Sequence, residues 1–113
     1  MEIQVNIDCA DLERMTTFYE AALGYVMHGR AGDQYASMVA ADGIGPKLVF
    51  QKVPEAKAVK NRVHLDLIVE SIEAEAGRFV SLGATRGKSF EEFGLHWIVM
   101  QDPEGNEVCL CDG

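Results

Sequence analysis

Residues 3–25, IQVNIDCADLERMTTFYEAALGY, contain a strand pattern followed directly by a helix pattern. From Ile3 to Asp8 apolar and polar residues alternate, which is the period of a strand with one buried face. Asp11 can then cap a helix, and Gly24 can end it in the left-handed conformation. The apolar residues between these caps recur at helical spacing, namely Leu12, Met15, Phe18, Tyr19, Ala22 and Leu23. This stretch therefore predicts a strand and then a helix.

Three further strands are predicted after this helix. They cover Tyr25 to Arg30, Tyr35 to Ala41 and Lys47 to Val53. Turn-forming residues separate them, with Gly32 and Asp33 in one gap and the stretch DGIGP at 42–46 in the other. The first part of the chain therefore predicts the order βαβββ.

The same order returns after the polar segment PEAKAVKN, residues 54–61, which we interpret as a linker. A strand at 63–69 precedes a helix that Ser71 can cap and Gly83 can end. Its predicted buried face consists of Ile72, Ala76, Phe79 and Val80. Three strands follow at 85–90, 95–101 and 107–111. The second part of the chain is therefore also βαβββ.

The two halves can be aligned in two registers. Matching the caps Asp11 and Ser71 pairs Gln4 with His64, whereas matching Asp8 with Asp66 pairs Asn6 with His64. The two registers differ by two residues, so each side chain keeps its face of the strand in either one.

Length and composition favour one soluble domain over 1–113, made of module one at 1–53, the linker at 54–61 and module two at 62–113. Hydrophobic residues make up 48% of the chain, which is enough for a core and too much for disorder. The net charge of -8 argues against nucleic acid and anionic membranes as partners. The start, MEIQVNIDC, has neither a basic region nor an apolar run, so we expect a cytoplasmic protein.

Three cysteines are present, Cys9, Cys109 and Cys111. Their number is odd, and the last two lie on one face of a strand at a spacing unsuited to pairing with each other. We therefore expect reduced thiols.

The stretches DLERMTTFYEAALGY at 11–25 and DPEGNEV at 102–108, in a duplicated βαβββ frame, resemble the vicinal oxygen chelate superfamily. This group includes glyoxalases, bleomycin-resistance proteins, extradiol dioxygenases and fosfomycin-resistance thiol transferases. LVFQKVPEAKAVKNRVHLDL at 48–67 is similar to small bacterial glyoxalase-like proteins. The resemblance implies an α+β fold in which two tandem βαβββ modules form curved, mostly antiparallel sheets around a cleft, with the helices outside. It also implies a homodimer.

In the metal-dependent members of this superfamily, residues on the first and last strands of both modules hold a divalent ion. The corresponding positions here are Gln4, Val49, His64 and Cys109. Val49 has no donor atom, and Cys109 stands where the motif DPxGNxxE has a carboxylate. Oxygen-preferring ions depend on histidine and carboxylate donors, so we expect that the superfamily's usual metal is lost and that there is no cofactor.

The strand alternation divides the residues of the terminal strands between core and cleft. Predicted core positions are Ile3, Val5, Leu65, Leu67, Val108 and Leu110. The catalytic candidates on the cleft face are His64 and Asp66, because a carboxylate can orient an imidazole for proton transfer near neutral pH. The substrate-binding candidates are Gln4, Asn6, Asp8, Gln51, Trp97 and Cys109.

Two assignments remain open from the sequence. The mixed pattern of the strand at 95–101 allows either His96 or Trp97 to face the cleft. Cys109 is a nucleophile if His64 lowers its thiol pKa, and a small, buried, inert side chain otherwise.

Three functions are compatible with these residues. The first is an enzyme, possibly a lyase or isomerase, that transforms a small polar organic molecule without the usual metal. The second is a binding protein of the bleomycin-resistance type that sequesters an aromatic or cationic molecule. The third is a metal-dependent lyase or dioxygenase with a rearranged site that draws on His64, Asp66, Asp8 and Cys109. Fold resemblance alone does not choose among them.

Overall fold

The computed structural model describes residues 1–112 and has the predicted element order, βαβββ followed by βαβββ. The first set comprises β1 (Gln4–Cys9), α1 (Leu12–Leu23), β2 (Tyr25–Ala31), β3 (Tyr35–Ala40) and β4 (Lys47–Lys52). The second set comprises β5 (Leu65–Ile68), α2 (Ile72–Ser81), β6 (Thr85–Glu92), β7 (Leu95–Gln101) and β8 (Glu107–Cys111). The predicted α+β class with two tandem modules is confirmed.

The chain divides into two compact units, a first unit of Met1–Ala56 and a second unit that begins at Lys57. This division falls inside the predicted linker at 54–61. The predicted second module runs to Gly113, which lies outside the described residues.

The sheet of the first unit has the order β1-β4-β3-β2. β1 pairs with β4 in parallel, and the other two pairings are antiparallel. Val5 and Ile7 share a face with the buried Leu48 and Phe50, because residues paired in register point to the same side of a sheet. Tyr19 of α1 packs on Phe50 with ring centroids 5.3 Å apart, so this face is covered by the helix.

The second unit repeats this topology with the order β5-β8-β7-β6. β5 is parallel to β8, while β7 is antiparallel to β6 and β8. The side chains of Ile98, Met100 and Leu110 are fully buried, and Phe79 of α2 is 2% exposed. In each unit, the face opposite the helix is called here the helix-free face.

Local chemistry at the helix ends agrees with the predicted caps. The Asp11 carboxylate accepts a hydrogen bond from the Arg14 backbone N–H at 3.0 Å, and the Ser71 hydroxyl accepts one from the Ala74 N–H at 3.2 Å. Gly24 adopts a left-handed φ of 70° after α1. Neither helix in residues 1–112 is long and apolar enough to cross a membrane.

Two predicted core residues are exposed instead. Ile3 is 75% exposed because β1 begins only at Gln4, so that its side chain lies beyond the paired part of the edge strand. Val80 is 47% exposed, since it lies about 80° around the helix from Ile72. The buried face of α2 is therefore the narrower set Ile72, Ala76 and Phe79.

Strand limits also differ in places from those predicted. β5 begins at Leu65 rather than Val63, which is 78% exposed, and β6 extends to Glu92. Val5, Leu65 and Leu67 are half-buried rather than fully buried, because β1 and β5 are edge strands with a neighbour on one side only.

Candidate functional site

A cavity of about 410 Å³ lies on the helix-free face of the second unit's sheet. The register of three strands determines what lines it. Asp66 of β5 pairs with Cys109 of β8, and Cys111 pairs with both Ile68 and Trp97. Paired residues share a face, so polar, thiol and aromatic groups from β5, β8 and β7 meet in one place.

His64 and Asp66 contact each other at one side of this cavity. The His64 Nε2 atom lies 3.2 Å from the Asp66 Oδ1 atom, and the two side chains are 41% and 57% exposed. Residues two apart on a strand point to the same side of the sheet, but their side chains do not have to touch. The alternation pattern therefore does not predict this contact, which only the structure shows. The contact gives an imidazole that a carboxylate can orient while water or a ligand still reaches both groups.

Cys109 lies under this pair and is 5% exposed. Burial, followed by the negative charge of Asp66, raises the pKa of its thiol to about 11. The pKa of the Cys111 thiol is raised by the same two causes in the same order. At neutral pH both side chains are therefore protonated thiols, and the buried, inert alternative for Cys109 is favoured over the nucleophile.

Trp97, rather than His96, lies on the helix-free face. Its indole stacks on Phe90 of β6 with ring centroids 5.4 Å apart and an interplanar angle of 18°. His96 has the opposite parity, and its charge helps lower the pKa of Glu73 on α2, after the larger effect of the hydrogen bond from Arg86. Alternation along β7 thus directs the His96 side chain away from Trp97, although His96 is still among the residues that line the cavity.

Three cavity residues were missed by the sequence reasoning. Ile68 and Leu95 add apolar walls, and Asp112 accepts a hydrogen bond from the His96 N–H at 3.2 Å. Ile68 has the parity of Asp66, and Leu95 has the parity of Trp97, so alternation could have identified both. Asp112 follows the last strand, where alternation gives no signal.

The remaining site candidates lie in the first unit. Gln4, Asn6 and Asp8 are exposed on the helix-free face of its sheet, and the half-buried Gln51 is paired in register with Asp8. On the same face, Tyr35, Ser37 and Val49 border a cavity of about 260 Å³. The structure thus brings His64, Asp66, Trp97 and Cys109 together in the second unit, and Gln4, Asn6, Asp8 and Gln51 together in the first.

The four positions that the resemblance assigns to a metal do not provide a site for an oxygen-preferring ion. Val49 offers only an aliphatic side chain, Gln4 offers a neutral amide, and Cys109 offers a buried sulfur. Magnesium and manganese select carboxylate, carbonyl and water oxygens, so this donor set does not fit them.

A different group of donors is close together in the second unit. One ligand atom each from His64, Asp66 and Cys109 lie within 4.8 Å of one another. The group combines a ring nitrogen, a carboxylate oxygen and a sulfur.

Comparisons with known proteins agree with the fold. The family model for the glyoxalase-like domain matches residues 4–111. No curated protein sequence is significantly similar to the chain. Among solved structures, a glyoxalase/bleomycin resistance protein/dioxygenase family enzyme from Burkholderia phytofirmans superposes with a TM-score of 0.77 at 18% identity, over 96% of this chain and 94% of that one.

Two other solved structures are similar to the chain over its whole length. The fosfomycin resistance protein FosX from Mesorhizobium loti has a TM-score of 0.77 at 16% identity, over 100% of this chain and 92% of its own. A lactoylglutathione lyase from Agrobacterium tumefaciens has a TM-score of 0.73 at 16% identity, over 100% and 93%. At these identities the likeness establishes the fold alone.

Proposed function

The chain belongs to the glyoxalase-like domain family, and we propose that its second unit binds a small polar organic molecule and exchanges a proton with it through His64 and Asp66. The observation that carries the proposal is the cavity of about 410 Å³, in which this contacting pair lies with Trp97. No step of the proposed chemistry uses the superfamily's usual metal.

The size and lining of the cavity support a small ligand. Its volume is within the range of about 300–1,000 Å³ that is typical of ligand pockets. Trp97, Ile68 and Leu95 supply apolar contact area, whereas His64 and Asp66 supply a few polar groups that can orient a ligand. Two proteins with a similar fold, a lactoylglutathione lyase and a fosfomycin resistance protein, are also named after small molecules.

The side chains favour proton transfer over nucleophilic attack. An imidazole can both accept and donate a proton, and Asp66 at 3.2 Å can hold the His64 ring in one orientation. The Cys109 thiol, with a pKa of about 11, is too weakly ionised to attack a ligand. We therefore propose a reaction in which His64 removes a proton from one atom of the ligand and returns it to another, as in an isomerisation.

A second candidate is sequestration of a cationic aromatic molecule without chemistry. The stacked rings of Trp97 and Phe90 offer a π-surface, and Asp66 and Asp112 offer negative charge. Among the cavity-lining residues that the structure describes, none is a lysine or arginine. Attraction of a cation to an aromatic face is worth roughly 0.5–2 kcal/mol, which is enough to select such a ligand over a neutral analogue.

Trp97 is the only tryptophan, so its emission reports on the cavity directly. We would titrate matched anionic, neutral and cationic aromatic and carbonyl compounds, and recover each bound compound for mass spectrometry and proton exchange from D₂O. Conversion of a compound, or incorporation of deuterium into it, supports the proposed proton-transfer activity. Binding with the compound recovered unchanged and undeuterated supports sequestration, and no change in emission with any class contradicts both.

Histidine variants test the role of the pair. His64→Gln should reduce deuterium incorporation by at least about a hundredfold, the lower range for general acid–base catalysis, and this loss should exceed any loss of ligand affinity. His28→Gln is the matched control, since His28 is an exposed histidine on β2 of the first unit. Equal exchange rates for His64→Gln and the wild type would contradict the catalytic role.

A homodimer, a cytoplasmic location and the absence of a nucleic-acid partner are further parts of the proposal. The net charge of -8 supports the last of these, because phosphate contacts require lysine and arginine.

A further inference from the structure

Three side chains of the second unit bring a nitrogen, an oxygen and a sulfur donor to the edge of the cavity. We propose that His64, Asp66 and Cys109 bind a divalent ion of borderline softness, such as Zn²⁺ or Co²⁺, with one coordination position open to the cavity. All three donor atoms lie within 4.8 Å of one another, and His64 and Asp66 are already in contact.

The geometry needs only small side-chain movements to surround an ion. In a tetrahedral zinc site, bond lengths near 2.0–2.3 Å place the donor atoms about 3.5 Å apart. The His64 Nε2 to Asp66 Oδ1 separation of 3.2 Å is close to this value, and both side chains are partly exposed. Cys109 is held in place because β8 pairs with both β5 and β7.

The donor types select the kind of ion. Thiolate and imidazole ligands suit zinc and cobalt, whereas magnesium and calcium prefer oxygen ligands throughout. The proposed site shares His64 and Cys109 with the four positions considered above, but it lies within one unit and uses Asp66 in place of Gln4 and Val49. Three protein donors also leave a fourth position for water or a ligand atom.

Binding is balanced in charge and in protons. The ion forms a bond to the Cys109 sulfur and releases the thiol proton to solvent, while Asp66 binds as a carboxylate and His64 through a ring nitrogen. Two negative donors then neutralise the divalent cation. A bare thiolate beside Asp66 is unfavourable in this buried position, and a cation between the two groups removes that repulsion.

The site does not depend on the proposed ligand, although both would use the same cavity. An ion on the His64 ring nitrogen and a proton on that nitrogen exclude each other. Metal occupancy would therefore change the chemistry available to His64, and the two proposals have separate readouts in metal absorption and in deuterium exchange.

The test is anaerobic titration of the reduced, chelator-treated protein with Co²⁺. We expect one equivalent to bind with a near-ultraviolet sulfur-to-cobalt absorption band, which Zn²⁺ removes and millimolar Mg²⁺ does not. Cys109→Ser should eliminate the band, whereas Cys111→Ser, which changes a cysteine of the same cavity, should retain it. Absence of the band in the wild type, or its removal by Mg²⁺, would overturn the proposal.

One histidine variant and one aspartate variant test the other two donors. His64→Ala and Asp66→Asn should each weaken Co²⁺ binding by more than about tenfold. Mutating a residue that only contacts a metal ligand already costs about tenfold or more, and a ligand itself should matter at least as much. Asp112→Asn is the matched control and should bind like the wild type. A band that survives in Cys109→Ser, or an equal loss in Asp112→Asn and Asp66→Asn, contradicts this donor set.

X-ray absorption of the zinc-loaded wild type needs no variant and so remains informative if Cys109→Ser does not fold. We expect one sulfur at about 2.3 Å and nitrogen or oxygen ligands at about 2.0–2.2 Å. A shell without sulfur, or with two sulfurs, would contradict the site.

Discussion

At the scale of single residues, Gly87 occupies a place in β6 that only glycine fits. A Cβ atom there would lie 2.5 Å from the Val99 carbonyl oxygen on β7. The register between β6 and β7 shifts between Arg86 and Ser89, and this irregularity brings the two backbones close together.

Gly87→Ala should therefore lower the free energy of unfolding by about 1–3 kcal/mol, the usual cost of overpacking. Gly77→Ala is the control, because Gly77 lies in α2 with no atom within 4 Å of an added Cβ. That substitution should raise stability by about 0.5–1 kcal/mol through helix propensity. Urea unfolding of the two variants measures both changes in the free energy of unfolding. If both changes have the same sign, the close approach of β6 to β7 at Gly87 does not explain the need for glycine there.

Asp102 is a second residue with a defined structural role. It is 3% exposed, and its carboxylate accepts hydrogen bonds from the Glu104 and Asn106 backbone N–H groups and from the Asn106 side chain, at 2.9, 3.0 and 3.0 Å. These bonds close the turn between β7 and β8, and so position the strand that carries Cys109.

Asp102→Ala should lower the free energy of unfolding by about 2–4 kcal/mol, because three charge-assisted hydrogen bonds are lost and their partly buried donors are left without this acceptor. Asp42→Ala removes an exposed carboxylate that accepts the Ile44 N–H, and it should cost less than about 1 kcal/mol. Thermal unfolding of both variants would test the difference, and equal losses would mean that the turn is not held by the Asp102 carboxylate.

At the scale of elements, the segment before β5 is attached to the beginning of β8. The Glu107 carboxylate accepts bonds from Lys60 Nζ at 2.6 Å and from the Asn61 N–H at 3.3 Å. The Glu107 N–H donates in turn to the Asn61 side-chain oxygen at 3.3 Å. Lys60 lowers the pKa of Glu107, with smaller contributions from the Asn61 N–H and from the charge of Lys57.

This pKa shift makes stability depend on pH. A carboxyl whose pKa is lower in the folded state binds fewer protons there, so its stabilisation is present above its ordinary pKa of 4.5 and is lost as pH falls below it. Glu107→Gln should flatten the acid side of the stability profile, measured by urea unfolding between pH 7 and about pH 3. Glu91→Gln changes an exposed glutamate of β6 and should leave the profile unchanged. Superimposable profiles for Glu107→Gln and the wild type would contradict this role.

At the scale of the whole molecule, the strand orders leave edges. β1 and β2 are the outer strands of the first sheet, and β5 and β6 are those of the second. Each outer strand has one unpaired edge within its sheet, and Phe93 is an apolar side chain that is 97% exposed; both features favour coverage by another surface.

We therefore predict a homodimer in solution. Sedimentation equilibrium at high micromolar concentration should give twice the chain mass of 12.4 kDa. Dilution should reveal the monomer only at concentrations near the dissociation constant. A mass of 12.4 kDa throughout would contradict the dimer.

The sequence by itself determined the element order, the helix caps and the face of each terminal strand. Asp11 and Ser71 cap because a short oxygen-bearing side chain reaches an N–H three residues on, and Gly24 ends α1 because it tolerates a positive φ. These features depend on neighbours in the chain, so a local pattern contains the information. The exposure of Ile3 and Val80 was not predicted, because it depends on where strand pairing starts and how much of α2 the sheet covers.

Only the tertiary structure decided which side chains meet. The choice of Trp97 over His96 follows from the pairing of β7 with β8, and the approach of Asp66 to Cys109 follows from the parallel register of β5 and β8. β5 and β8 are about forty residues apart in sequence, so no periodicity within either strand specifies their alignment. The raised pKa of Cys109 arises from the same alignment, because burial and the charge of Asp66 both come from residues distant in the chain.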